Sequence, residues 1–304
     1  MITRALIAAT LLVLPSGLAS AQTADKVKVV TSFSILADLV RQVGGERVEV
    51  TALVGANTDM HVFEPKPADA KTVANANLVV INGLGFEGWA ARLVKASGYK
   101  GLAIVASKGI KPLAADHDHS HGQGKAHAHG RYDPHAWQEV ANVKTYVGNI
   151  RDALATVDAA RKPVYDAAAT GYLTKLDALE AEIKGAFAGI AKPMRRVITS
   201  HEAFTYYGDA YDIEFLAPQG VGGDSEPSAK AVAALIRQIK REKVKAVFVE
   251  NISNPRLIER IAKETGITVG GALYSDALAE AGGPAGTYID MMRHNTRLIA
   301  AALR

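Results

Sequence analysis

Along the chain, short apolar runs alternate with segments whose apolar residues recur every three or four positions. The run at 27–31 (VKVVT) reads as a buried strand, and 32–43 carries helical spacing that ends at Gly44-Gly45. Residues 47–53 (RVEVTAL) alternate like a second strand, and a turn-rich stretch, NTDMHVFEPKP, fills 57–67. Pro67 opens a short helix reaching Ala74. A strand at 78–81 is turned by Asn82-Gly83 and Gly85, a helix covers 89–96, and a strand at 102–105 precedes Gly109 and Pro112. Strands alternating with helices predict a parallel sheet with right-handed crossovers.

Between 139 and 190 the strand pattern is absent. One helix is predicted at 139–157. A second, opened by Pro163, carries Val164, Ala168, Tyr172, Leu176, Leu179, Ile183 and Phe187 at mostly three- or four-residue steps. At about 28 residues it would span roughly 40 Å, the diameter of a domain. The alternation then returns, with strands at 196–200, 213–217, 246–249 and 267–273. Helices follow Ser225-Glu226-Pro227-Ser228 as far as 243 and cover 255–264 and 287–303. The predicted class is α/β: two parallel-sheet lobes, 22–157 and 192–304, joined by one long rigid helix within 158–191. No strong internal sequence repeat accompanies the two halves.

The first residues change this picture. Arg4, an apolar stretch at 5–14, the breakers Pro15 and Gly17, and Ala19-Ser20-Ala21 form an export signal over 1–21, with cleavage expected after Ala21. Its apolar run is too short to span a bilayer. The sequence has no cysteine, which excludes disulfides, thiolate metal sites and a thioether-linked lipid. Export without such an anchor predicts the periplasm. The formal charge of +4 is spread along the chain and aromatic residues are few, so no clustered basic face for nucleic acid is expected.

Histidine is the distinctive residue. The stretch 116–137, DHDHSHGQGKAHAHGRYDPHAW, holds two kinds. His117, His119, His121, His127 and His129 lie in a Gly-containing run without apolar period, expected as a mobile loop over 116–130 that makes weak accessory metal contacts. His135 follows Asp133-Pro134 on restricted backbone and opens an amphipathic segment. His61 lies after the second strand, His201 after RVITS and Asp276 after GGALYS. All four fall beyond carboxyl ends of strands, where open α/β sheets bind ligands, so two from each lobe can converge in the cleft. Three imidazoles and a carboxylate suit Zn2+, whereas Mn2+ prefers more oxygen. Each has a plainer reading: a loop-surface residue for His61, a helix-end residue for His135, a strand-end residue for His201 and a helix N-cap for Asp276. Glu64 and Glu202 are candidate acceptors for imidazole N–H groups. Tyr206 and Tyr207 read as packing residues, and His294 as an ordinary residue of the last helix. Gly220 to Gly223 lacks the ending of a phosphate loop.

The order of export signal, DMHVFEPKP, His-rich loop, DPHAW, long helix, TSHEAFTYY and YSDAL resembles the metal-binding solute-binding proteins of bacterial ABC transporters, the cluster A-I or zinc/manganese group. The resemblance covers the whole mature chain, and DPHAW and SHEAF are its most specific parts. It implies two α/β lobes joined by a rigid helix, and metal ligands at His61, His135, His201 and Asp276; a connecting helix that long resists hinge bending, so small lobe motions are expected. Manganese-type members carry glutamate at the third position, so His201 implies the zinc type, as does the tract before DPHAW. The cysteine pair of many zinc-type members is missing here. The implied function is to capture Zn2+ as transported ligand in the periplasm and deliver it to an ABC permease in the inner membrane. A periplasmic zinc chaperone is a possible donor, the chain acting as a monomer and not as an enzyme. The alternatives are Mn2+ or another divalent metal, and an exported zinc hydrolase. No His-Glu-x-x-His helix supports the hydrolase.

Overall fold

Each half of the chain gathers its short, β-branched runs into a four-stranded parallel sheet. The computed structural model describes residues 25–115, 131–220, 227–242 and 244–304. The first sheet comprises β1 (Val27–Phe33), β2 (Val48–Val54), β3 (Leu78–Ile81) and β4 (Leu102–Val105), in the order β2-β1-β3-β4. Helices α1 (Ser34–Gly44), α2 (Pro67–Ala74), α3 (Ala90–Ser97) and α4 (Val140–Val157) accompany it. The second sheet comprises β5 (Arg196–Ile198), β6 (Glu214–Leu216), β7 (Ala246–Glu250) and β8 (Thr268–Leu273), in the order β6-β5-β7-β8. It carries α6 (Thr205–Tyr211), α7 (Ala229–Glu242), α8 (Arg256–Thr265) and α9 (Tyr288–Leu303). The two strand orders match step for step, so the topology repeats where the sequence does not. In each sheet the order reverses beside the first strand, the place where doubly wound sheets open a ligand crevice.

The long helix α5 (Lys162–Phe187) has 26 residues and spans about 39 Å. Its stripe of Tyr165, Ala169, Tyr172, Leu176, Leu179, Ile183 and Phe187 is buried. That stripe is what period 3.6 demands of a helix lying on a core. It packs along α1, α4 and α9, so it is a shared wall between the lobes and not a free-standing strut. One continuous apolar core runs from the first lobe through α5 and α9 to residues of the second lobe such as Phe204, Tyr207 and Phe248. A smaller cluster, including Ile198, Leu235, Val247 and Ile258, lies under α7 and α8.

Several local features depart from the sequence pattern. The segment TYYGDAY is helical as α6, although it is too short to show a period; Tyr206, Tyr207 and Tyr211 are buried. Gly208 is required there, because a Cβ would meet the Ile213 carbonyl oxygen at 2.5 Å. β5 ends at Ile198, two residues before the predicted end, because the chain turns to bring His201 opposite Gln219 in an isolated bridge. Ser228 Oγ accepts a hydrogen bond from Ala231 N at 3.2 Å, capping α7. Residues 1–21, read above as an export signal, and the histidine tract lie outside the described residues.

Hydrogen bonds tie the lobes together near the crevice. Trp137 Nε1 and Gln138 Nε2 both donate to Ser275 O at 2.9 Å. Leu278 N donates to Ser34 Oγ at 3.0 Å, and Asn57 N donates to Leu278 O at 2.9 Å. At the start of α9, Tyr288 N donates to Asp38 Oδ2 at 2.8 Å and Tyr288 OH to Trp137 O at 2.8 Å.

Candidate metal centre

His61, His135, His201 and Asp276 each sit on a loop leaving the carboxyl end of a strand. These loops run from β2 to α2, from β4 to the 3₁₀ turn Ala136–Gln138 ahead of α4, from β5 to α6, and from β8 to α9. Local hydrogen bonds fix each loop. Asp59 Oδ1 accepts from His61 N at 2.8 Å, and Asp133 Oδ1 accepts from His135 N at 2.9 Å, the same aspartate turn two residues ahead of each histidine. Asn82 Nδ2 donates to Pro134 O at 2.9 Å. Ser200 N and His201 N both donate to Glu250 Oε1, at 2.7 and 3.0 Å. Tyr206 OH accepts from Leu113 N and donates to Asp133 O, both at 3.0 Å, so this packing tyrosine also supports the turn before His135.

The four side chains converge. One ligand atom from each lies within 4.8 Å of all the others. Asp276 Oδ2 is 3.0 Å from His61 Nε2 and 3.2 Å from His201 Nε2, and Asp276 Oδ1 is 3.5 Å from His135 Nε2. Four ligands at about 2.0–2.1 Å from a tetrahedral ion stand about 3.3 Å apart, so these separations match a single shared cation. Nε2 of His135, Nε2 of His201 and Oδ1 of Asp276 are buried and, although they stand beside one another, make no well-aligned hydrogen bond among the described residues. Buried polar atoms left so are rare unless a ligand satisfies them. The side chains of His135, His201 and Asp276 are 0–1% exposed and that of His61 is 6% exposed, so His61 borders solvent.

Carboxylates hold two of the imidazoles from behind. Asp133 Oδ1 lies 2.8 Å from His135 Nδ1, and Glu250 Oε2 lies 2.7 Å from His201 Nδ1. The Asp133 hydrogen bond keeps the His135 proton on Nδ1 and leaves Nε2 for the ion, and the Glu250 charge beside His201 Nδ1, close but not aligned as a hydrogen bond, favours the same tautomer there. Burial opposes charge on His135, but Asp276 and Asp133 outweigh it and raise its pKa to about 9. His201 is likewise disfavoured as a cation by burial, yet Glu250 and Asp276 hold its pKa well above the usual imidazole value. Burial alone would raise the Asp276 pKa, but the facing imidazoles His135 and His201 hold it well below the carboxylate range. Protons therefore supply the positive charge of the metal-free site, and an incoming cation displaces them.

Aromatic rings back the cluster on the first-lobe side. The Phe86 ring stands 5.2 Å from that of His61 and 5.9 Å from that of His135, and Trp137 stands 5.3 Å from His135. The Phe86 loop is held by the buried carboxylate of Glu87, which accepts from Asn82 N (2.6 Å), Gly83 N (3.0 Å) and Ser32 Oγ (2.6 Å). Gly83, Leu84 and Gly85 all have positive φ, 89°, 57° and 86°. A Cβ on Gly83 would lie 2.4 Å from Val105 Cγ1, so glycine is required there.

Asp133 and Glu250 escaped the sequence pattern. Asp133 was in plain view two residues before His135, and Glu250 ends the apolar strand AVFVE with a charge that has no place in a core unless paired. Glu64 is exposed, and Glu202, beside His201, has its amide bonded to Gln219 O at 3.1 Å. Tyr207 OH bonds Thr296 Oγ1 at 2.7 Å, and His294 Nε2 lies 3.0 Å from Ala272 O, apart from the cluster. His117, His119, His121, His127 and His129 lie outside the described residues.

The family model for the periplasmic zinc-uptake complex component A, ZnuA, matches residues 29–302. The chain belongs to the ZnuA family. Members are substrate-binding proteins that serve an ABC permease and its ATPase, not enzymes, so the hydrolase alternative falls away. Among relatives of this ZnuA-family chain, a manganese-binding lipoprotein, MntA, of Halalkalibacterium halodurans is 33% identical over 279 residues, 92% of this chain and 89% of its own length. The manganese ABC transporter substrate-binding lipoprotein PsaA of Streptococcus pneumoniae is 30% identical, with 96% and 94% covered. Among solved structures, the periplasmic zinc-binding protein TroA of Treponema pallidum superposes with a TM-score of 0.82 at 27% identity, over 91% of this chain and 99% of that one. The manganese-bound periplasmic metal-binding protein of Candidatus Liberibacter asiaticus gives a TM-score of 0.80 at 28% identity, over 92% and 100%.

Proposed function

We propose that this ZnuA-family protein captures Zn2+ between its lobes, on His61, His135, His201 and Asp276, and passes it to the permease. The observation that carries this reading is the convergence of three imidazole nitrogens and one carboxylate, with Asp133 and Glu250 turning two of the imidazoles toward a common point. A nitrogen-rich, four-residue set favours Zn2+. Mn2+ is the second reading. It is supported by the named cargo of MntA and PsaA and by Asp276, both of whose oxygens face the cluster and offer the extra oxygen that manganese prefers. In this proposal the tract histidines His117, His119, His121, His127 and His129 collect or receive zinc and feed the tight site. A periplasmic chaperone is the donor, the protein works as a monomer, and residues 1–21 are removed after Ala21.

The test is metal content with competitive Zn2+ and Mn2+ affinity, on the mature chain with and without residues 116–129. One tight zinc per chain that survives the deletion is expected. Preference for Mn2+ would keep the transport reading and overturn the cargo. Loss of tight binding with the tract would overturn the four-residue site.

A further inference from the structure

Beside the candidate metal centre, wholly within the first lobe, lies a cavity of about 280 Å3. His61 forms part of its wall, so the same imidazole faces Asp276 on one side and this cavity on the other. His61 is also the member of the set with the most solvent contact. Four rings line it, Phe63, Phe86, Trp89 and Tyr132, beside small and apolar residues such as Met60, Pro65 and Pro134. Two opposite charges stand at the rim, Arg92 and Glu64, both exposed and neither in a hydrogen bond or ion pair among the described residues. Trp89 is 8% exposed, and its indole N–H has no hydrogen-bond partner among the described residues. Trp89 also occupies the N-cap position of α3 without a capping side-chain hydrogen bond, and the first turn of that helix holds no acidic residue and includes Arg92. That end of the cavity therefore favours an anionic group, whereas Glu64 favours a hydrogen-bond-donating amine. Leu84, in left-handed backbone between two glycines, also lines the cavity.

A cavity at the small end of ligand pockets, with aromatic walls and paired opposite charges, has the chemistry of a free α-amino acid site. The adjoining wall is a metal ligand. We propose that this cavity receives the chelating amino acid of an incoming metal–amino acid complex, of the kind histidine forms with Zn2+. Arg92 pairs with the carboxylate, Glu64 with the amine, and the side-chain ring lies against Phe63 and Trp89. The ion then passes to His61 as that imidazole replaces one donor of the amino acid; the ion's charge and oxidation state are unchanged, the freed amine takes up a proton of the kind the site releases, and the amino acid leaves through the cavity mouth. The inference rests on the metal-site reading above and adds the form in which cargo arrives.

The test compares loading rates by stopped-flow tryptophan fluorescence, since the two tryptophans of the chain, Trp89 and Trp137, lie in the cavity and against His135. Zn2+ is offered either as its bis-histidine complex or as the aquo ion in a non-coordinating buffer. In Arg92→Gln and Glu64→Gln, loading from the histidine complex should slow at least about fivefold, while loading from the aquo ion changes less than about twofold. Both residues are exposed, so folding is not at stake. Equal slowing from both sources, or none from either, overturns this inference and leaves the metal site standing. Failure of the unaltered chain to take up zinc tightly from either source removes the metal-site reading, and this inference with it.

Discussion

Glu250→Gln gives the sharpest test of how the second lobe presents His201. The carboxylate is buried, with Oε1 accepting two backbone N–H groups, from Ser200 and His201, and Oε2 2.7 Å from His201 Nδ1. A glutamine must place its oxygen at the Oε1 position, because an NH2 group there would oppose two donors. Its NH2 then faces His201 Nδ1, which must accept, and the ring proton moves to Nε2, the atom turned toward Asp276. The substitution keeps the side-chain shape but imposes the tautomer that cannot bind a cation through Nε2. Loss of an outer carboxylate partner commonly costs 10–100-fold in metal affinity, and a wrong tautomer should bring the loss to the upper end, about 100-fold or about 2.7 kcal/mol. The assay is competition against a chromophoric zinc chelator, with far-UV circular dichroism to establish the fold. Less than about a threefold change in a folded variant would refute the tautomer argument and the role given to Glu250.

The remaining predictions concern ligands, protons and support. His135→Ala and His201→Ala should each weaken zinc binding at least about tenfold by the same competition assay; unchanged affinity in both would remove the site. Because the pKa of His135 stands near 9, above its ordinary value, zinc binding at pH 7 should release at least one proton, and apparent affinity should climb with pH until about 9. Calorimetry in buffers of different ionisation enthalpy reads that proton, and a heat independent of buffer would contradict it. The same shift stabilises the metal-free fold below the unfolded imidazole pKa, and this contribution is lost as pH rises through about 9, so metal-free Tm should fall there. Tyr206→Phe strands the Leu113 N–H and the Asp133 carbonyl and should cost about 1–3 kcal/mol in denaturant unfolding. An unchanged midpoint would show that water replaces the hydroxyl.

The framework was legible because its signals are local. β3 and β4 begin and end where their apolar runs do, and α2 begins at its proline. The four converging side chains were legible because strand ends and loops are visible in the pattern, and ligands gather beyond carboxyl ends. What was hidden depends on contacts between distant residues. α6 is a single short stretch held by three buried tyrosines, not by a period. Glu250 looks like the end of a strand until His201, forty-nine positions earlier, is brought beside it. The cavity beside His61 needs loops from three parts of the first lobe, and nothing in any one of them announces it.

The core that passes unbroken from the first lobe through α5 and α9 into the second has a thermodynamic meaning. The halves share much of their buried surface, so melting one strips apolar cover from the other, and heat should unfold the parts joined by that core together. A cation held where the halves meet then stabilises all of it. At a free concentration a thousandfold above Kd that gain is about 4 kcal/mol. Occupancy and resistance to proteolysis therefore rise together, and a cell short of metal holds a carrier that opens more often along its entire length.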